Sequence, residues 1–183
     1  MKTSITSFIF LIFTIPALAQ EGKQKISFDF DGDKKVDVFQ IKDGKLVYAL
    51  TSQANKTVTS KGGSYADQTY LELKGNVIVY HCTFMRASNT FKFRYDAKLK
   101  AIRLIGYDNE QFGNALNDGS GLSSYNLLTG DYKAQWNYFD RKKGELMAYP
   151  PVSKKYPAKV YLLKDFGEEV VDALYEVDAK HIK

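Results

Sequence analysis

The chain carries 26 Lys and Arg against 21 Asp and Glu over 183 residues, a formal net charge of +5. With 44% hydrophobic and 14% aromatic residues it is long enough to bury one sizeable core, and its single cysteine, Cys82, excludes an internal disulfide. So mild a positive excess gives no ground for a nucleic-acid partner. It suits anionic glycans, lipopolysaccharide phosphates or acidic proteins, and equally a solvated surface.

Residues 1–19, "MKTSITSFIFLIFTIPALA", place Lys2 before an apolar run from Ile5 to Ile15 and end on Ala17-Leu18-Ala19. This pattern reads as a secretory signal peptide cleaved after Ala19, because the run is too short to stay across a bilayer of about 30 Å. Gln20-Glu21 offers no cysteine for lipid attachment. The expectation is one mature domain, residues 20–183, periplasmic or secreted. No later run reaches the roughly 18 apolar residues of an integral membrane segment.

From Lys25 onward the chain reads as short strands between turns rich in Gly, Asn and Asp. "DFDGDKKVD" at 29–37 is an Asp-rich loop or turn. "KVDVFQI" and "KLVYALTS" follow as a hairpin closed by Asp43-Gly44, since the favoured two-residue turn needs positive φ at both central positions. The middle of "NKTVTSKGGSYAD" reads as a loop. "QTYLELKGNVIVYHCTF" gives two strands hinged at Lys74-Gly75-Asn76, and "NTFKFRYDAKLKAIRLIGYD" two more hinged at Asp96-Ala97-Lys98. In the latter, Phe91, Phe93 and Tyr95 share one face and Lys92 and Arg94 the other, a period of two that excludes a helix.

"NEQFGNALNDGSG" lacks periodicity and reads as an exposed loop, followed by strands in "LSSYNLLTG", "DYKAQWNYF" and "GELMAYPP". After "AKVYLLKDF", the residues Phe166, Val170, Val171, Leu174 and Tyr175 fall at helical spacing, with Asp165 and Glu168 placed for a capping box. The expected fold is mainly β: a single antiparallel β-rich domain with a short C-terminal helix.

The best chemical clue is the Asp-rich stretch. Asp29, Asp31, Asp33 and Asp37 occupy relative positions one, three, five and nine, with the Lys35 carbonyl at seven. Oxygens at that spacing can close around Ca2+ as the chain curls. Lys34 stands where such loops carry a turn glycine, and Gln40 where an EF-hand carries its bidentate glutamate. The competing reading is a turn whose carboxylates accept local N–H bonds.

"FDFDGDKKVDVF" resembles the Asp-rich loop of FG-GAP or integrin-type propeller repeats, with the glycine one place earlier. The resemblance implies calcium held between strands, although a single copy does not build a propeller. More broadly, "DFDGDKKVDVFQI", "FKFRYDAKLKAIRLIGYD" and "SSYNLLTG" together are similar to an uncharacterised group of exported bacterial proteins. That resemblance implies no catalytic residues.

Nothing else spells out a reaction. His81 and His181 are the only histidines and stand far apart, and neither a zinc motif, a GxSxG elbow nor a phosphate loop occurs. The reading is a non-enzymatic exported domain that binds an envelope glycan or a protein. Its candidate surface comprises Arg94, Arg103, Tyr107, Asp108 and Asn126, with the loop from Asn109 to Gly121. Two alternatives stand beside it: a periplasmic hydrolase of cell-envelope glycan using Asp108, Glu110 and Asp118, and an inhibitor or immunity-type protein.

Overall fold

The computed structural model describes residues 23–63 and 66–181; the expected signal peptide, residues 1–19, lies outside them. The first four strands, β1 (Lys25–Phe28), β2 (Asp37–Lys42), β3 (Lys45–Ala49) and β4 (Thr57–Thr59), form an antiparallel sheet in chain order. Asp43 and Gly44 turn β2 into β3 with φ of 50° and 70°, the geometry that suits a right-twisted hairpin. β4 lies just ahead of the middle of 55–67 read as a loop; it pairs with Val47, Tyr48 and Ala49, and the Ser60 amide continues to the Leu46 carbonyl at 2.9 Å.

The second sheet is a long meander of β5 (Gln68–Lys74), β6 (Val77–Phe84), β7 (Ala87–Asp96), β8 (Ala101–Gln111), β9 (Gly121–Asn126), β10 (Asp131–Asp140) and β11 (Glu145–Ala148). Two further strands complete it: β12 (Val152–Lys155) pairs with the first half of β10, and β13 (Tyr161–Leu162) with the first half of β8. Pro150-Pro151 therefore interrupts the edge strand rather than ending the run, because pairing resumes at Val152 opposite Ala134.

β7 and β8 carry one irregularity that matters for the surface. Lys92 pairs with Gly106 but Phe93 pairs with Leu104, so Ile105 is an extra residue in β8. In a regular strand Arg103, Ile105 and Tyr107 would share a face. With the extra residue, the inward set becomes Ile102, Leu104, Tyr107 and Asn109, and Asp108 turns outward.

Both sheets contribute to one core. Phe39 of the small sheet meets Phe93 of the large one at 6.3 Å between ring centroids, and Phe166, fully buried, packs edge-on against Phe91 and Phe93 at 5.0 and 5.2 Å. Helix α1 (Glu168–Ala179) lies on the same side and buries Val170, Leu174, Val177 and Asp178. The expected Asp165–Glu168 capping box does not form. Asp165 belongs to a single 3-10 turn, and Gly167 is the N-cap without a side-chain bond. That glycine is set by packing, since a Cβ there would stand 3.1 Å from the Gly62 nitrogen. No described helix is long and apolar enough to cross a membrane.

Beneath α1 the sheet is polar. The buried Asp178 carboxylate accepts from Asn109 Nδ2 at 2.7 Å and from the Tyr132 hydroxyl at 2.8 Å. Nearby, the Tyr107 hydroxyl donates to Asn89 Oδ1 at 3.3 Å, and Asn89 Nδ2 donates to the Tyr175 hydroxyl. Burial first, then the Asp178 charge, pushes the Tyr107 and Tyr132 hydroxyls far above the ordinary phenol value, so both remain donors.

Candidate metal centre at the sheet junction

Between β1 and β2 the chain wraps around one carboxylate. Asp29 Oδ1 accepts the amides of Gly32 at 2.7 Å and Asp33 at 3.1 Å, while Oδ2 accepts that of Lys34 at 2.9 Å. The wrap needs left-handed backbone twice, at Gly32 (φ 84°) and Lys34 (φ 67°). A lysine there is strained by about 1–2 kcal/mol, against which glycine loses about 0.5–1 kcal/mol of backbone entropy. Lys34→Gly should therefore raise stability by about 0.5–1 kcal/mol, read as a melting point a few degrees higher. An unchanged or lowered value would mean that the loop holds no such strain.

Asp37, 1% exposed, joins the loop to its surroundings. Its Oδ2 accepts the Phe30 amide at 3.0 Å, and Oδ1 accepts the Thr51 amide at 2.8 Å, with the Thr51 hydroxyl oxygen 3.1 Å away. Asp31 accepts from the Ser52 hydroxyl. Thr51 and Ser52 belong to a 3-10 turn at Thr51–Gln53, and Gln53 Nε2 donates to the Lys100 carbonyl at 2.7 Å in the β7–β8 turn. Tyr95 of β7 faces the same cluster: its hydroxyl is pushed above the ordinary value by burial, then by the charges of Asp31, Asp37 and Asp96. The loop thus sits where the small sheet meets the large one.

Three carboxylates converge. Asp29, Asp31 and Asp37 each bring an oxygen within 4.8 Å of the others. Ligands of a Ca2+ ion at 2.3–2.6 Å lie up to about 5 Å apart, so the separation fits. Among the described residues no Lys or Arg nitrogen pairs with any of these carboxylates within 4.0 Å, although Lys34 and Lys35 adjoin them in sequence. Asp33 is not in the converging set. Its Oδ2 accepts the Thr51 hydroxyl at 2.9 Å and its Oδ1 the Lys35 amide at 2.8 Å, which turns it aside and leaves Lys35 on the exposed arm of the loop.

The second set of candidate residues does not gather into one patch. Arg94 and Arg103 are direct partners across β7 and β8, with Arg103 3.3 Å from Asp96. Asp108 stands on the same open face, 2.5 Å from Lys92 and accepting from Ser124 Oγ at 2.7 Å. Asn126 ends β9, and its Oδ1 accepts the amides of Leu128 and Thr129 in the following turn. Tyr107 is a correction: the extra residue in β8 sends it into the core, 1% exposed. Asn109 is likewise a buried strand residue, and the loop proper is 112–120. That loop and Arg103 occupy opposite ends of β8, about 30 Å apart at the rise of a strand.

The carboxylates suggested for glycan hydrolysis each have a separate partner: Asp108 pairs with Lys92, Glu110 accepts from Ser88 at 3.4 Å, and Asp118 caps the Phe139 amide at 2.8 Å.

Sequence reasoning missed the supports of the Asp loop. Thr51 reaches Asp37 because β3 runs back along β2, with Val38 opposite Ala49. The Asp43-Gly44 turn contains that register, so counting outward from it would have brought Thr51 beside the loop. A polar cluster on the open face was also missed: Tyr70 stacks on His81 at 4.4 Å, and His81 Nε2 lies 3.0 Å from Glu72. Lys74 first, with His81 adding to it, holds the Glu72 carboxyl below its ordinary range. Compared with protein families, with curated proteins and with solved structures, the chain matches none.

Proposed function

We propose that the chain is an exported β-rich binding or structural domain, non-enzymatic, in which Asp29, Asp31 and Asp37 take up one Ca2+ and fix the small sheet against the large one. The observation that carries this reading is the approach of three carboxylate oxygens to within 4.8 Å, with no Lys or Arg nitrogen paired to them within 4.0 Å among the described residues. Two unit charges at that distance repel by about 1 kcal/mol in water and about 3 kcal/mol at an effective dielectric of 20, and a divalent cation reverses the sign. The resemblance to FG-GAP loops points the same way. With Lys34 at the turn and Gln40 in place of a bidentate glutamate, the site belongs to the weak class that extracellular modules use, with Kd on the order of 0.1–1 mM. An exported protein meets calcium at such concentrations.

Calcium at tenfold saturation should stabilise the domain by about 1.4 kcal/mol, a rise of a few degrees in melting point that chelator removes. Magnesium should do less, because it demands a tighter octahedral shell. Asp31→Asn should abolish most of the response while the fold is kept. Equal melting points in calcium and in chelator would leave only a turn.

One observation favours a protein partner, the inhibitor-type reading. The 112–120 loop is ordered by Arg86, which donates to the carbonyls of Gly113 and Asn114, and by Asp118 on Phe139, yet it presents Phe112 and Leu116 to solvent. Met85 and Leu122, exposed at 88% and 57%, lie at the same end of the sheet. Exposed apolar groups clustered on an ordered loop mark protein contacts.

A further inference from the structure

Five of the eight large apolar side chains exposed among the described residues stand at one end of the large sheet: Met85, Phe112, Leu116, Leu122 and Leu146. The meander explains their company. β6 turns into β7 at Met85, β8 passes to β9 through the 112–120 loop, and β10 turns into β11 just before Leu146, so the three connections lie side by side.

Hydrogen bonds join these connections into one surface. The Phe112 amide donates to the Arg86 carbonyl at 2.9 Å, and the Arg86 guanidinium returns to the carbonyls of Gly113 and Asn114. On the other flank the Gly119 amide donates to the Asn137 carbonyl at 3.2 Å, Asp118 takes the Phe139 amide, and Leu146 is paired opposite Phe139. The apolar side chains are therefore held outward by an ordered frame. Around them the rim carries both signs. Arg141, Lys142 and Lys143 are exposed on the β10–β11 turn, with Glu145 beside them and Glu110 near the end of β8. Asp118 and Asp140 add negative charge while accepting backbone amides.

We infer that this end of the sheet binds a second copy of the chain, the two 112–120 loops packing about a two-fold axis. The inference rests on the reading of that loop as a protein contact and names the partner. Charge decides between occupants. An anionic bilayer would meet Glu110 and Glu145 as well as the basic turn, and a protein of one strong sign would set like against like over part of the rim. A second copy brings the same mixture of signs, and a two-fold axis sets each copy's tips against the other's. Composition agrees, because interface cores are enriched in aromatic residues, Met and Arg, here Phe112, Met85 and Arg86, with charged residues at the rim. The three connections and the strand ends they join offer roughly 20 residues, what a standard interface takes from each side.

Sedimentation equilibrium of the full domain at about 100 μM should give twice the monomer mass, falling towards the monomer on dilution. Met85→Asp with Leu116→Asp, both at exposed tips outside the core, should weaken association at least tenfold with the circular dichroism spectrum unchanged. A domain that stays monomeric at that concentration, or a dimer that the double variant leaves intact, would overturn the inference. Phosphatidylglycerol vesicles then separate the two levels of the reading. A monomer that ignores them loses only the second copy and leaves the loop open to a different protein, whereas a monomer that binds them through Met85 and Leu116 overturns the protein contact as well.

Discussion

Asp37→Ala should destabilise the domain by about 3 kcal/mol, more than any other change in the Asp loop. The carboxylate is 1% exposed and accepts from the Phe30 and Thr51 amides. Hydrogen bonds to an ionised acceptor contribute about 1.5–3 kcal/mol each, and alanine leaves buried donors facing nothing. Part of the loss is offset, since the repulsion from Asp29 and Asp31 disappears with the charge. Asp37→Asn keeps one acceptor oxygen and should lose about half as much. Denaturant unfolding reads both values; a loss below about 1 kcal/mol for alanine would show that Asp37 does not tie the loop to β3.

The second large effect lies under the helix. Asp178→Leu should lower stability by about 3 kcal/mol, because it strands Asn109 Nδ2 and the Tyr132 hydroxyl in the core. The group has no basic partner within 4.0 Å among the described residues, so its bonds to these two donors are what compensate its desolvation. Tyr132→Phe in the same chain removes one stranded donor and should recover about 1 kcal/mol. A double-mutant cycle tests this: additive losses would mean that Tyr132 and Asp178 are not coupled. Detachment of α1, seen as faster amide exchange from Val170 to Val177, should accompany the single substitution.

The fold class was legible because strand alternation and turn chemistry agree. Phe91, Phe93 and Tyr95 alternate with Lys92 and Arg94 as expected, Asp43-Gly44 makes its turn, and Val170 and Leu174 mark the buried face of the terminal helix. What failed depends on partners distant in sequence. A single extra residue, Ile105, reverses which side Tyr107 and Asp108 face, and no local pattern announces a bulge. The helix is capped by Gly167 rather than by a capping box, and Gly62, about a hundred residues earlier, packs against that glycine. In the Asp loop the spacing was readable, but which carboxylates converge was not. That depends on Thr51, whose hydroxyl draws Asp33 away from the cluster while its amide bonds Asp37 into it.

The calcium-held junction is tested most directly by titrating calcium into the isotope-labelled domain and following backbone amide resonances. The expected result is a saturable shift of Gly32, Asp33 and Lys34 with a midpoint on the order of 0.1–1 mM. A matching shift should appear at Tyr95 and Lys100, across the junction on the large sheet. Resonances of the loop and of the β7–β8 turn that stay fixed up to about 10 mM calcium would contradict the account.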